Sequence, residues 1–442
     1  MNFKIGFVFS LASLFLMPTI GYALSECHRI YKIESKMVHG HKLRSNATVW
    51  LGEHSVVSTR KIMENISPAD GLPGSIIAAR TRGNPDYYFH WIRDAALVVE
   101  SLIGRRKLSN DPTEINSIDQ KISEYVAFSG QIQKLPTPSG LGEPKVNVNG
   151  TVFSDPWGRP QNDSPALRAV SMIHIAKLSK KSAIKFLIKA DLDFVAEHWQ
   201  DPSFDLWEEV LGTHFYTLMV QRKAMAEGAE FAKTIGDFPS EKNYRDQKKL
   251  IERVLLDKFW NVEGNYIPTT ISQVGGLPGK DSNLDIAVVL GLLHGTVNDS
   301  VFKFSDSRFL NTLQSLETRF KNLYAINKNN DIPGTAIGRY PEDLFSGPDR
   351  SGGNPWVLAT LAMAEAYYNV AAEFKIQGRT DWKRFIEKGD TFIQRTQYHA
   401  NLDGSLNEQI QRDTGFMTSV SDLTWSHAAV LTANLARKKA LE

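Results

Sequence analysis

Residues 355–374 read PWVLATLAMAEAYYNVAAEF, a segment that is apolar on almost every side. A helix of this composition is buried all round, whereas a surface helix keeps one polar face. Residues 283–295, NLDIAVVLGLLHG, have the same character, but the segment around residue 250 keeps a strongly charged face. This contrast predicts inner helices that are shielded from water by outer helices.

Helical spacing recurs along most of the chain, and almost no segment alternates with the period of two that a half-buried strand shows. Apolar residues step by four, three and four in stripes such as Ile188, Leu192, Val195 and Trp199. We count roughly a dozen helical segments, centred near residues 55, 98, 124, 171, 192, 220, 250, 289, 313, 365, 389 and 430. The predicted class is all-α. Two layers of helices fit a double-ringed barrel or a two-layered solenoid, and no sequence repeat favours the solenoid.

The composition is that of an ordinary globular protein, since 42% of the 442 residues are hydrophobic and 23% are charged. Several long connections between helices are rich in Gly and Pro, but they also contain Trp, Tyr, Arg and Glu, which linkers lack. We therefore expect a single domain, residues 26–442, with a site built from its loops. The net charge is +2 without any block of like charges, so nucleic acid is not an expected partner.

The chain begins MNFKIGFVFSLASLFLMPTIGYALSE, with one lysine, an apolar run and then small residues. This order predicts a secretory signal peptide over residues 1–25. The run is broken by serines and Pro18, and it is shorter than a comfortable membrane span. We therefore expect a secreted or periplasmic protein that has no membrane association after cleavage. Cys27 is the only cysteine, so an internal disulfide and a thiolate-rich zinc site are both excluded.

The long loops place aromatic residues beside carboxylates and arginines, as in YYFHWIRD, DPWGRPQND, DLWEEV, GRYPED and SDLTWS. Sugars pack their C–H faces on aromatic rings, and their hydroxyls bond to charged and amide groups. Any one of these motifs is equally well explained as a wedge between helices. Five together favour a carbohydrate site.

Cleavage of a glycosidic bond requires one carboxylic acid and one further carboxylate. Glu208 and Glu209 in DLWEEV are candidates, and we expect them to open a helix that Asp205 caps. Glu408 in LNEQIQ is another candidate, in the last long loop. By composition alone, an ordinary helix start is the favoured interpretation of Glu208 and Glu209.

Seven segments favour the catalytic interpretation instead: YYFHWIRDAALVVESL, GLGEPKVNVNG, WGRPQNDSPALRA, DLWEEVLGTHFYTLMVQ, GRYPED, GGNPWVLATLAMAE and SDLTWSHAAVLTAN. In this order they resemble the signature segments of the glucoamylase family of glycoside hydrolases, and together they are highly specific. The resemblance implies an (α/α)6 barrel of six inner and six outer helices. It also implies an exo-acting, inverting hydrolase that releases β-glucose from the non-reducing ends of α-1,4-glucans (maltooligosaccharides, dextrins, glycogen and starch) and is slower on α-1,6 bonds.

The same resemblance implies roles for individual residues. Glu208 matches the general acid and Glu408 the general base, and the carboxyl groups of an inverting pair lie roughly 6.5 to 9.5 Å apart. Arg93 and Asp94 match residues that clamp the terminal glucose. The full set of implied substrate-binding residues is Tyr87, Trp91, Arg93, Asp94, Trp157, Leu206, Trp207, Glu209, Arg339 and Trp425. One departure is Phe345, which stands where many relatives have a hydroxyl-bearing aromatic residue and leaves the outer-subsite preference open.

We expect a monomer without a cofactor or a metal, although the sequence leaves bound calcium open. Because the chain ends directly after the last helix, we expect no starch-binding domain and soluble glucans as substrates. The alternatives are the same scaffold acting on trehalose or an α-1,6-glucan, and a non-catalytic carbohydrate-binding protein, which the presence of both Glu208 and Glu408 disfavours. A zinc-dependent barrel transferase would need a Cys, His and Asp constellation that Cys27 cannot supply.

Overall fold

Helices dominate the computed structural model, which describes residues 46–179, 184–299 and 301–442. The predicted signal peptide and Cys27 lie outside the described residues. Within these residues the chain forms twelve α-helices where the apolar spacing predicts them, which confirms the all-α class. They are α1 (Ala47–Glu64), α2 (Ile92–Leu108), α3 (Pro112–Ile132), α4 (Asp163–Ser179), α5 (Lys185–His198), α6 (Phe215–Thr234), α7 (Phe238–Lys258), α8 (Ala287–Gly295), α9 (Ser307–Leu323), α10 (Val357–Ile376), α11 (Lys383–His399) and α12 (Thr424–Leu441).

The even-numbered helices form a closed inner ring. Each packs against the next even-numbered helix, and α12 returns to pack against α2. An open solenoid would keep its first and last helices apart, so the closure excludes that alternative. Odd-numbered helices lie outside the ring, for example α7 against α6 and α11 against α10. The predicted (α/α)6 barrel is therefore confirmed.

Burial distinguishes the two rings in the way that the sequence predicts. The inner helix α10 buries residues on all sides between Val357 and Phe374. The outer helix α7 buries only Tyr244, Ile251 and Leu255. The apolar side chains of the inner helices make up about half of the buried apolar residues that the structure describes. No described helix has the length and apolar composition to cross a bilayer.

The two rings also begin their helices differently. Four outer helices start at a residue whose side chain accepts a hydrogen bond from a first-turn N–H group, namely Asn46, Asp111, Asp237 and Asp306. The inner helices α2, α6, α10 and α12 have no side-chain cap of this kind. Their first N–H groups therefore need partners from elsewhere in the fold.

Three small antiparallel sheets lie in the connections between helices. They pair β1 (Phe89–Trp91) with β2 (Lys145–Asn147), β4 (Val210–His214) with both β3 (Ser203–Phe204) and β5 (Thr270–Gly276), and β6 (Gln409–Ile410) with β7 (Met417–Thr418). Strand β1 continues directly into α2, and β4 continues directly into α6. The strands therefore fix the direction from which these loops enter the inner ring.

Arg168 on α4 and Asp191 on α5 form a fully buried bidentate ion pair, with N–O distances of 2.8 and 2.6 Å. We expect Arg168→Met to lower the free energy of unfolding by about 3–5 kcal/mol, because it leaves the Asp191 carboxylate unpaired in the core. Denaturant unfolding followed by circular dichroism measures the change. The control is Lys242→Met, which breaks an exposed pair with Asp246 and should leave the midpoint unchanged. An unchanged midpoint for Arg168→Met would contradict the prediction.

Candidate active site

One end of the ring opens into a cavity of about 630 Å³. The loops that precede α2, α4, α6, α10 and α12 all contribute to its wall. All twelve residues singled out from the sequence line this cavity: Tyr87, Trp91, Arg93, Asp94, Trp157, Leu206, Trp207, Glu208, Glu209, Arg339, Glu408 and Trp425. The fold thus brings together side chains that are spread over more than three hundred positions, while the roles of the individual residues stay predictions.

The turn between β3 and β4 carries Glu208 and Glu209, so the expectation that they open a helix is wrong. Asp205 accepts hydrogen bonds from the backbone N–H groups of Glu209 (2.8 Å) and Val210 (3.0 Å). This is the bonding expected of a helix cap, but here it closes a tight turn. Glu208 takes a left-handed backbone conformation at its apex, with φ +66°. Such strain in a residue other than glycine is typical of functional sites.

The carboxyl group of Glu208 is held through one oxygen. Its Oε1 accepts hydrogen bonds from Trp91 Nε1 (2.8 Å) and Gln161 Nε2 (3.0 Å). The Arg93 guanidinium lies 3.8 Å from the same oxygen. No described residue hydrogen-bonds to Oε2 of Glu208, so this oxygen is the one that can carry a proton towards a ligand.

The carboxyl group of Glu408 is almost completely buried and is held through both oxygens. Tyr87 donates to Oε1 (2.6 Å), and Ser419 (2.6 Å) and Gln409 (3.0 Å) donate to Oε2. Burial raises the pKa of Glu408, while the three donors act in the opposite direction. Donors to a carboxylate favour its charged form, so the three donors limit the rise in pKa that burial causes.

Glu209 lies in a network of cationic and aromatic groups. Its Oε1 accepts from Arg339 (3.0 Å), and its Oε2 accepts from the Tyr340 hydroxyl (2.6 Å). Arg339 also forms a bidentate pair with Asp343, and its guanidinium carbon lies 5.2 Å from the centre of the Phe345 ring. The network fixes a planar cation against the cavity wall.

Arg93 and Asp94 form the polar floor of the cavity. The Arg93 side chain is 3% exposed and donates to Asp163 (2.8 Å) and Gln161 (3.1 Å). Burial raises the pKa of Asp94 to about 7, although Arg93 opposes the increase. A carboxyl group with this pKa can either donate to or accept from a ligand hydroxyl near neutral pH.

Lys145 is a cavity residue that sequence reasoning missed. Its ammonium lies 3.2 Å from the centre of the Trp157 ring and within 4.5 Å of the centres of three more rings, those of Phe89, Trp91 and Phe153. Burial lowers the pKa of Lys145 to about 8. The residue lies in GLGEPKVNVNG, a segment that the sequence singles out, but only the paired strands β1 and β2 bring it to the aromatic rings. Gln161, Gln409 and Ser419, which donate to the two glutamates, were also missed.

A second cavity of about 630 Å³ lies among the inner helices and shares Trp425 with the first. Neither Glu208 nor Glu408 lines it, so it does not belong to the carboxylate site. In the part of the chain that the structure describes, no group of three or more His, Cys, Asp or Glu side chains could hold a metal ion.

Comparisons with known proteins match nearly the whole chain. The model of glycosyl hydrolases family 15 matches residues 54–435. A glucoamylase of Blastobotrys adeninivorans is 36% identical over 436 residues, which are 86% of this chain and 69% of that protein. A glucoamylase of Rhizopus oryzae is 36% identical over 441 residues, 89% and 72% of the two chains. The solved glucoamylase from Saccharomycopsis fibuligera superposes with a TM-score of 0.83 at 29% identity and covers 90% of this chain and 96% of its own.

Burial among aromatic rings lowers the pKa of Lys145, and this pKa can be measured. We expect its ammonium to titrate near pH 8, because burial disfavours the charged form. NMR titration of labelled lysine side chains, with Lys145→Arg to assign the signal, measures this value. Lys242 is the control, because its hydrogen bond to Asp246 raises the pKa of that exposed group. A Lys145 signal that titrates together with the surface lysines would refute the prediction.

Proposed function

The chain belongs to glycosyl hydrolases family 15, and we propose that Glu208 and Glu408 are the acid and the base with which it releases glucose from α-glucans. The enzyme is an exo-acting glucan 1,4-α-glucosidase that inverts the anomeric configuration. The assignment is supported by one observation: the two glutamates line one cavity, and their carboxyl groups differ in how many oxygens accept hydrogen bonds. Glu208 has a free oxygen among the described residues, whereas both oxygens of Glu408 accept hydrogen bonds.

In the proposed reaction, Glu208 donates a proton from Oε2 to the glycosidic oxygen as the bond from this oxygen to the anomeric carbon breaks. A water molecule attacks the anomeric carbon from the opposite face and gives its proton to Glu408, so that β-glucose leaves. Proton exchange with solvent restores both carboxyl groups. This chemistry requires room for the water, which is why we expect a separation of roughly 6.5 to 9.5 Å between the two carboxyl groups.

Exo action is supported by the difference in exposure between two residues that line the cavity. Arg93 at the floor is buried, whereas Trp157 at the mouth is 42% exposed. A chain end can therefore place its terminal glucose against the polar floor, with Arg93 and Asp94 bonding to its hydroxyls. The remaining glucosyl units would lie against the Trp157 ring, because sugar C–H faces pack on aromatic surfaces.

The domain, the location, the oligomeric state and the preferred substrates of the enzyme are also proposals. We propose that residues 26–442 act as a single catalytic domain, that the protein is exported to the periplasm or the medium, and that it works as a monomer on soluble maltooligosaccharides and dextrins. Phe345 contacts Arg339 from the cavity wall without offering a hydroxyl. Its side chain therefore favours an apolar contact with a glucosyl unit beyond the terminal one.

The anomer that is released tests the function and the mechanism together. Proton NMR of fresh product from maltotriose should show β-glucose for the wild type. Glu208→Gln and Glu408→Gln should each lose on the order of a hundred- to ten-thousand-fold in rate. The exposed Glu53→Gln is the control and should keep full activity.

Initial α-glucose would overturn the inverting mechanism. If the enzyme released glucose from trehalose but from no α-1,4-glucan, its substrate would be trehalose. Activity retained in Glu408→Gln would remove that residue as the base.

The Ser419 hydroxyl provides a pH test of the base. Glu408 must be ionised to accept a proton, so activity falls as the pH drops through its pKa. Ser419→Ala removes one donor to the carboxylate and raises the pKa of Glu408. We expect the acidic limb of the kcat/KM profile to move to higher pH. Ser351→Ala is the control, because the Ser351 hydroxyl bonds to Ser346 and not to Glu408. An acidic limb that stays in place, or moves to lower pH, would count against Glu408 as the titrating base.

A further inference from the structure

Lys280 lies behind the cavity wall, in the loop that follows β5. Its ammonium is 2.7 Å from Asp205 Oδ2, 3.6 Å from Asp285 Oδ2 and 3.7 Å from Glu209 Oε2. The side chain is 8% exposed, and its nitrogen lies 4.0 Å from the centre of the Tyr340 ring. Lys280 does not line the cavity, so any effect on the reaction must pass through other residues.

Each of the three carboxylates is also bonded to a part of the cavity wall. Asp205 closes the turn that carries Glu208, through the backbone N–H groups of Glu209 and Val210. Asp285 accepts from the indole of Trp207 at 3.0 and 3.1 Å. The Lys280 ammonium thus links the three carboxylates that hold the turn from Asp205 to Val210 in place. Burial alone would raise the pKa of Asp205, but Lys280, His214 and the backbone N–H of Val210 together lower it to about 2, with Lys280 as the largest of these contributions.

The backbone that carries Lys280 is packed tightly on the same turn. Leu277 N–H donates to the carbonyl of Glu209 at 2.8 Å. Gly276 has φ +84°, and a Cβ atom there would come within 2.2 Å of the same carbonyl oxygen. Glycine is required both for the backbone angle and for the close approach. The loop that delivers Lys280 therefore has little freedom relative to Glu208.

We propose that Lys280 is a positioning residue that sets the aim of the Glu208 carboxyl group by fixing the turn from Asp205 to Val210. The proposal rests on the proposed function, in which Glu208 is the acid. Glu208 is held at its strained backbone angle by its neighbours, and a turn released on one side lets this angle relax. A displacement of about 1 Å in such a group can cost on the order of a hundredfold in rate.

The test compares Lys280→Met with the double variant Lys280→Met/Asp285→Asn. The single change leaves three carboxylates without their shared cation. The double change restores the balance of charge, and the new amide oxygen still accepts from Trp207. We expect kcat on maltotriose to fall by about a hundredfold in both variants, with a smaller change in KM. The thermal midpoint should recover in the double variant. Lys280→Arg should keep a higher kcat than Lys280→Met, since a guanidinium can still donate to Asp205.

Each outcome decides the proposal. If kcat recovers together with stability in the double variant, Lys280 only neutralises charge and the proposal is wrong. It is also wrong if Lys280→Met keeps the wild-type kcat. If the single variant fails to fold, the double variant and Lys280→Arg give the same decision. Lys242→Met, on the exposed face of α7, should change neither kcat nor stability. A wild type that cleaves no α-glucan would instead refute the proposed function.

Discussion

The contact between α12 and α2 is the constraint on which the rest of the structure depends. It closes the inner ring, and each outer helix returns the chain to the same end, where the next inner helix begins. The loops that precede the inner helices must therefore converge at that end. Gly104 on α2 permits the close approach, because a Cβ atom there would lie 3.0 Å from the Leu435 side chain on α12. Residues as distant as Tyr87 and Trp425 share one cavity as a consequence of this closure.

Hydrogen bonds from the first N–H groups of the inner helices also help to position the site. The first N–H groups of α2, α6, α10 and α12 have no side-chain caps, and backbone carbonyls of other loops accept from them instead. Val357 N–H at the start of α10 donates to the carbonyl of Glu408, and Thr424 N–H at the start of α12 donates to the carbonyl of Ala78. The carbonyl that caps α10 therefore belongs to the proposed base. A bond that the helix needs for stability also fixes the backbone of the residue that we propose as the base.

The sequence predicts the helices and the membership of the cavity well, because apolar periodicity and the motif order are local signals. It fails at the DLWEEV segment for a physical reason. An Asp followed by acidic residues resembles a helix start, but Asp205 uses the same hydrogen bonds to close a turn between strands. Strands as short as β3 and β6 show no usable alternation. Lys145 reaches Phe89 and Trp91 only when separate loops meet, and Ser419 reaches Glu408 only when β6 pairs with β7, which no local pattern predicts.

The different tasks that we propose for the two carboxyl groups rest on these tertiary contacts. Protonation of Glu408 weakens contacts that three donors make to its oxygens, whereas Glu208 can hold a proton on Oε2 without losing a partner. Burial acts against the ionised form of Glu408, so its capacity as a base depends on those donors being in place. Tyr87 and Ser419 come from loops at opposite ends of the sequence. The chemical difference between two identical side chains therefore depends on the closure of the ring.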